Sequence, residues 1–89
     1  MTRCTLEIVN LKGLHARASA KLVEVVEGFD ASAEVSKDAM SASGDSIMGL
    51  LMLAASQGSF IDVETTGPDA EALAEAIAAL VANKFGEDD

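Results

Sequence analysis

The sequence predicts an α+β fold in which a four-stranded antiparallel sheet carries three helices on one face. Four segments alternate apolar and polar residues with a period of two, which is typical of strands that bury one face. Three other segments have apolar residues at helical spacing. The segments follow one another as β-α-β-β-α-β-α. One-sided strands mixed with amphipathic helices indicate an open-faced sandwich.

The first strand and first helix are predicted from a change of period. Residues 2–9 alternate, with one face made of Cys4, Leu6 and Ile8. The alternation stops at residues 10–13, which we expect to form a loop. From residue 16 to residue 27 the period becomes helical, and the apolar stripe consists of Leu22, Val23, Val26 and Phe29. Gly28 is well placed to end this helix.

The middle of the chain predicts a hairpin followed by a short helix. Residues 32–43 alternate on either side of a turn at Lys37 and Asp38, with inward positions at Ala33, Val35, Met40 and Ala42. Ser46 is a favourable N-cap for a helix over residues 47–54. Leu50 and Leu53 supply the inward face of that helix.

The last strand and helix are bounded by turn residues. Gly58 marks a turn, and residues 60–66 alternate with inward positions at Ile61, Val63 and Thr65. After Gly67 and Pro68 we expect Asp69 to cap the final helix. Its apolar stripe consists of Leu73, Ile77, Leu80 and Val81, and Lys84 and Gly86 suit its C-terminus.

Composition restricts the classes of partner. We expect one domain over residues 1–89, because a chain of 89 residues has room for one core. The net charge of −9 argues against nucleic acid and anionic membranes as partners. Three of the acidic residues are the final residues 87–89, which we expect to favour solubility. The single cysteine, Cys4, cannot form an internal disulfide, and no apolar run is long enough for a signal peptide or a membrane span. We therefore expect a cytoplasmic protein.

The single histidine lies where a loop meets a predicted helix. Backbone amides at a helix start have no intrahelical acceptor, so His15 is next to a potential anion site. Arg17 can reach the same place and neutralise oxyanions. Spacing alone favours a plainer interpretation, in which His15 begins a helix and Arg17 is a solvated charge. The sequence lacks the ligand set of a metal or small-ligand site, and it contains no hydrolase nucleophile motif.

Two segments resemble the HPr family, the histidine-containing phosphocarriers of the bacterial phosphoenolpyruvate-dependent phosphotransferase system. Residues 13–20, Gly-Leu-His-Ala-Arg-Ala-Ser-Ala, resemble its active-site signature, and residues 43–49, Ser-Gly-Asp-Ser-Ile-Met-Gly, resemble its regulatory serine segment. The resemblance implies that enzyme I phosphorylates Nδ1 of His15 and that enzyme IIA-type proteins accept the group. Arg17 would hold the phosphoryl oxygens, and the carrier itself would need no cofactor or metal.

The resemblance also implies a regulated docking surface. An HPr kinase/phosphorylase would modify Ser46, and partners would contact Ala20, Ile47, Met48 and Leu51. The alternative is that Ile47, Met48 and Leu51 belong to the core, but Leu50 and Leu53 already supply the inward face of so short a helix. The chain departs from the family in having Ala18 where proline is usual, and Glu24, Glu27 and Gly49 where lysines are common. We expect a monomer. The sugar and nitrogen-related branches of the system both stay open, as does a non-catalytic regulatory module that uses the Ser46 face.

Overall fold

The computed structural model describes residues 1–87, and the predicted fold class is confirmed. Within these residues the chain forms the strands β1 (Thr2–Glu7), β2 (Ser32–Lys37), β3 (Met40–Ser43) and β4 (Phe60–Thr66). The helices are α1 (Ala16–Glu27), α2 (Ile47–Met52) and α3 (Ala70–Ala82), and a short 3₁₀ turn (Lys84–Gly86) follows α3. Asp88 and Asp89, which we expected to add solubility, lie outside the described residues.

The four strands form one antiparallel sheet in the order β1-β4-β2-β3. One row of the register joins Cys4 to Val63, Val63 to Val35, and Val35 to Ala42. Alternation places this row on the face that the helices cover. The opposite face is polar, and there Arg3 donates a 2.6 Å hydrogen bond to Glu64.

The core lies between the sheet and the helices α1 and α3. Alternate residues of β4 are buried, and α1 and α3 bury the stripes that their spacing predicts; the buried members are Ile61, Val63, Thr65, Leu22, Val23, Val26, Leu73, Ile77 and Val81. Each fully buried aliphatic side chain contributes about 1.5–3 kcal/mol to folding. Phe85, from the turn after α3, is also fully buried.

Several predicted boundaries are wrong by one or two residues. β1 ends at Glu7 rather than at residue 9. The hairpin turns at Asp38 and Ala39, and Asp38 adopts a left-handed φ of 55° that lets the strands reverse in two residues. Met40, expected to point inward, is exposed: it pairs with Lys37 directly beside the turn, at the end of the edge strand β3.

Helix ends also differ from the prediction. α2 stops at Met52, two residues early, because Ala54 has a left-handed φ of 52°. Asp69 precedes α3 but does not cap it, since its carboxylate instead accepts a 2.9 Å hydrogen bond from the amide of Asp30. Gly28 ends α1 as predicted, but with a right-handed φ of −81°. α3 ends at Ala82, so Lys84 and Gly86 lie in the following turn.

Candidate functional site

The loop between β1 and α1 is held against the loop that precedes β4. The amide of Leu14 donates a 2.8 Å hydrogen bond to the carbonyl of Ala55, and the side chain of Leu14 is buried. Gly13 makes this approach possible, because a Cβ at residue 13 would lie 2.4 Å from the carbonyl oxygen of Ala55. His15 therefore directly follows two loop residues, Gly13 and Leu14, whose backbone is held against the loop that precedes β4.

His15 occupies the N-cap position of α1, as the sequence predicts. Its backbone is extended, and its carbonyl accepts the first helical hydrogen bond, from the amide of Ser19 at 2.8 Å. The side chain does not cap the helix and is 28% exposed. The imidazole is therefore accessible beside the first amides of the helix, which have no intrahelical acceptor.

One edge of the imidazole is covered by Glu87. Nε2 of His15 contacts Oε2 of Glu87 at hydrogen-bond distance. The second oxygen, Oε1, accepts a 2.9 Å hydrogen bond from Nδ2 of Asn10. Asn10 is fully buried and also donates to the carbonyl of Gly13 at 2.8 Å. Residues from two distant parts of the chain thus meet at the histidine.

Arg17 lies in the first turn of α1 and is exposed. Among the residues that the structure describes, its guanidinium forms no ion pair or hydrogen bond. A guanidinium that has no protein partner retains all its donors for an oxyanion. Arg17 is thus placed within one helical turn of His15 with its charge available.

Ser46 caps α2, as predicted. Its Oγ accepts a 3.1 Å hydrogen bond from the amide of Gly49. Beyond this cap, Ile47 and Met48 are exposed, and Met48 is 70% exposed. Leu51 and Ala20 are partly exposed. α2 packs against α1, so the four predicted docking residues belong to neighbouring helices.

The resolved pKa shifts lie on β1, away from His15. Hydrogen bonding and charge from Glu64 raise the pKa of Arg3. Burial, helped by the charge of Asp62, raises the pKa of the Cys4 thiol. A shallow groove on the open face of the sheet is lined by Arg3, Glu34, Ser36, Asp62 and Glu64. These groups belong to the sheet and do not line the histidine site.

Residues 1–87 contain no group of three potential metal ligands. None of the helices in that range has the length and apolar character needed to cross a membrane.

Residues 2–83 match the sequence profile of the family described as "PTS HPr component phosphorylation site". The chain belongs to the HPr family. It is 46% identical over 80 residues to the phosphocarrier protein HPr of Cupriavidus necator, covering 90% of each chain. It is 42% identical over 85 residues to the phosphocarrier protein NPr of Escherichia coli K12, covering 94% of each. A crystal structure of HPr-C-His from Thermoanaerobacter tengcongensis superposes with a TM-score of 0.94 at 37% identity and covers all of both chains. The chain is therefore an HPr-family phosphocarrier of the phosphotransferase system.

Sequence reasoning missed two residues of this HPr site. It assigned Glu87 to a solvated tail, whereas the side chain is only 13% exposed and contacts His15. It assigned Asn10 to a loop without a role. The signal for Asn10 was a polar residue directly after the predicted first strand, residues 2–9, and three residues before Gly13. No local pattern connects Glu87 to His15, which lies 72 positions earlier.

Proposed function

We propose that this HPr-family chain carries a phosphoryl group on Nδ1 of His15, accepts it from enzyme I and donates it to enzyme IIA-type proteins. One observation supports this most directly: the only histidine of the chain is accessible at the start of α1, and Arg17, whose guanidinium has no partner among residues 1–87, lies in the same turn. The carrier needs to hold a group reversibly, and a nitrogen nucleophile with nearby donors serves that purpose.

Arg17 and the first amides of α1 would hold the phosphoryl oxygens. The helix start presents free amides and the positive end of its dipole, which favour a bound dianion. Arg17 adds a mobile cation that can follow the oxygens as the group arrives and leaves. In this arrangement the same donors serve both directions of transfer, so the carrier can exchange the group between partners.

Phosphorylation with enzyme I and phosphoenolpyruvate tests the proposal. We expect an acid-labile, alkali-stable phosphate on the parent chain and none on His15→Ala. Because the sequence has one histidine, phosphorylation of His15→Ala would show that another residue type accepts the phosphoryl group, and it would contradict the proposal. Comparison of the two circular dichroism spectra checks that the variant is folded.

The docking surface would consist of Ala20, Ile47, Met48 and Leu51. Exposed apolar side chains, methionines above all, suit a surface that meets several partners. Met52, which the sequence prediction omitted, is also exposed and lies four residues after Met48, on the same side of α2.

Met48→Glu tests this surface. It should raise KM for enzyme I without lowering the melting temperature, because the side chain is exposed. Met40→Glu is the matched control, since Met40 is an exposed methionine on the hairpin. Equal KM values for the two variants would exclude α2 from the docking surface.

Ser46 would act as a regulatory site for an HPr kinase/phosphorylase. Its hydroxyl already caps α2, and a phosphate there would be stabilised by the same amides while adding about −1.5 to −2 charges beside Ile47 and Met48. Substitution by Asp and by Asn separates the two roles, because both residues cap a helix and only Asp adds charge. A slower rate with enzyme I for Ser46→Asp than for Ser46→Asn supports regulation. Equal rates would leave Ser46 as a cap.

Acceptor assays distinguish the remaining alternatives. The phosphorylated chain would be mixed with enzyme IIA proteins of the sugar branch or of the nitrogen-related branch. The acceptor with the higher rate of phosphoryl transfer identifies the branch. A non-catalytic module that uses the Ser46 face predicts instead that His15→Ala retains every partner interaction and that no phosphoryl group is transferred.

A further inference from the structure

The partly buried carboxylate of Glu87, at the edge of His15, has no part in the proposal above. We propose that Glu87 is a positioning residue for phosphoryl transfer: it holds the proton of His15 on Nε2 and so leaves Nδ1 as the nucleophile. This inference rests on the proposed carrier function and adds a specific residue to it.

The chemistry of the carboxylate fixes the direction of the hydrogen bond. An ionised carboxylate has no proton to donate, so the contact between Oε2 of Glu87 and Nε2 of His15 requires that Nε2 donates. In a neutral imidazole only one nitrogen carries a proton. Nδ1 then has the free lone pair, and it is on the edge of the ring that Glu87 does not cover.

Asn10 holds the carboxylate from the other side. Its Nδ2 donates to Oε1 of Glu87 at 2.9 Å and to the carbonyl of Gly13 at 2.8 Å. Both acceptors are oxygens, so the reverse orientation of the amide would place Oδ1 against two other oxygens. Because Asn10 is fully buried, Glu87 has a fixed donor on the same loop that carries His15.

Residues 83–87, which we call the strap, bring Glu87 to this position. Phe85 anchors the strap in the core, and its carbonyl accepts a 2.5 Å hydrogen bond from Nζ of Lys21 on α1. Lys84 and Phe85 both have left-handed φ values, 56° and 55°, which are uncommon for residues with a Cβ. The surrounding contacts thus impose a backbone turn that ends with Glu87 beside the imidazole.

The transfer step balances with Glu87 in this role. The Nδ1 lone pair forms the N–P bond while the bond between phosphorus and the donor's leaving atom breaks, and the leaving atom takes that electron pair. The ring retains its Nε2 proton and gains positive charge, which the adjacent carboxylate neutralises. Delivery to the acceptor reverses these changes. The aspartate of a Ser-His-Asp triad orients its histidine in the same way.

The experiment uses the full chain labelled with ¹⁵N in its one histidine. At pH about 9, above the usual titration range of histidine, long-range ¹H–¹⁵N spectra report which ring nitrogen carries the proton. We expect the parent to show the Nε2–H tautomer alone and Glu87→Ala to show averaged nitrogen shifts from both tautomers. Glu75→Ala, which removes the same charge from an exposed position of α3, should match the parent.

The same variants are then assayed with enzyme I. Loss of a charge-assisted hydrogen bond should lower kcat about tenfold for Glu87→Ala, with KM for enzyme I unchanged. Glu75→Ala should keep both constants. Identical tautomers in Glu87→Ala and parent would overturn the proposal, and so would a tautomer change without a change in kcat, or a change confined to KM.

Failure of the carrier function is recognised separately. If the parent chain takes no phosphate from enzyme I, both the proposed function and this inference fail. If the parent is phosphorylated and Glu87→Ala equals it in tautomer and kcat, only the role of Glu87 is lost.

Discussion

Substitution of Gly13 by alanine should damage both stability and phosphoryl transfer, because this residue sets the distance between two loops. Its φ of +68° is left-handed, and an added Cβ would lie 2.4 Å from the carbonyl oxygen of Ala55 and 2.9 Å from Cα of Ser56. Both are backbone atoms, so the two loops must separate. The 2.8 Å hydrogen bond from Leu14 to Ala55 would be lost with that movement.

The expected cost follows from these contacts. A left-handed alanine costs about 1 kcal/mol, and a broken buried hydrogen bond costs about 1–3 kcal/mol. Overpacking adds about 1 kcal/mol or more. The sum is about 3–5 kcal/mol, a large share of the roughly 5–15 kcal/mol that stabilises a small domain. For a chain of this size it lowers the melting temperature by at least about 12 °C.

Gly58→Ala is the matched control for Gly13→Ala. Gly58 also has a left-handed φ, +90°, but an added Cβ would meet nothing within 4 Å. We expect it to cost about 1 kcal/mol, or about 4–8 °C. Thermal denaturation followed by circular dichroism, with an enzyme I assay below the transition, measures both variants. Equal melting temperatures for the two alanines would refute the argument from loop contact.

Three further predictions concern single side chains. Arg17→Ala should slow transfer in both directions by about ten- to a hundredfold with little loss of stability, because it removes one charge-assisted contact to the phosphoryl oxygens; unchanged stopped-flow rates would leave Arg17 a surface charge. Ser46→Ala should lower the free energy of unfolding by about 0.5–2 kcal/mol through loss of the cap on α2, whereas Ser46→Asn should not; urea titration decides. Folding raises the pKa of the Cys4 thiol, so the folded state favours the neutral thiol. The resulting contribution to the free energy of unfolding is complete at low pH and is lost as the pH rises through the folded-state pKa. A Cys4→Ser comparison across alkaline pH should show that loss in the parent alone.

The sequence predicts the fold well because its evidence is local. Alternation identifies the strands, and α1 begins and ends at the residues that its period and Gly28 indicate. Two of the errors, at the hairpin turn and at the end of α2, occur where a non-glycine residue, Asp38 or Ala54, has a left-handed backbone conformation. Tertiary packing imposes such left-handed conformations, and they cannot be predicted from the residue type.

The residues of the candidate site also differ in whether local sequence predicts their position. The sequence places His15 and Arg17 at a helix start, which is a local feature, and their role was predicted from the resemblance of residues 13–20 and 43–49 to the HPr family. Glu87 could not be predicted in this way, because its place depends on how α3 ends and how the strap turns back. The acidic composition of the tail favoured a solvated interpretation, and only the structure shows the carboxylate beside the imidazole.

Under the proposed function, the stability of the fold and phosphoryl transfer depend on the same contacts. The carbonyl of Gly13 accepts a hydrogen bond from Asn10, and the absence of a side chain at Gly13 allows Ala55 to approach. Asn10 also donates to Glu87, which contacts His15. A loop fixed in this way keeps the imidazole oriented before any partner arrives, which lowers the ordering cost in the transition state. Gly13→Ala should therefore slow transfer even at temperatures where the variant remains folded. Arg17 is exposed, so under the proposed function its guanidinium can follow the phosphoryl oxygens during transfer.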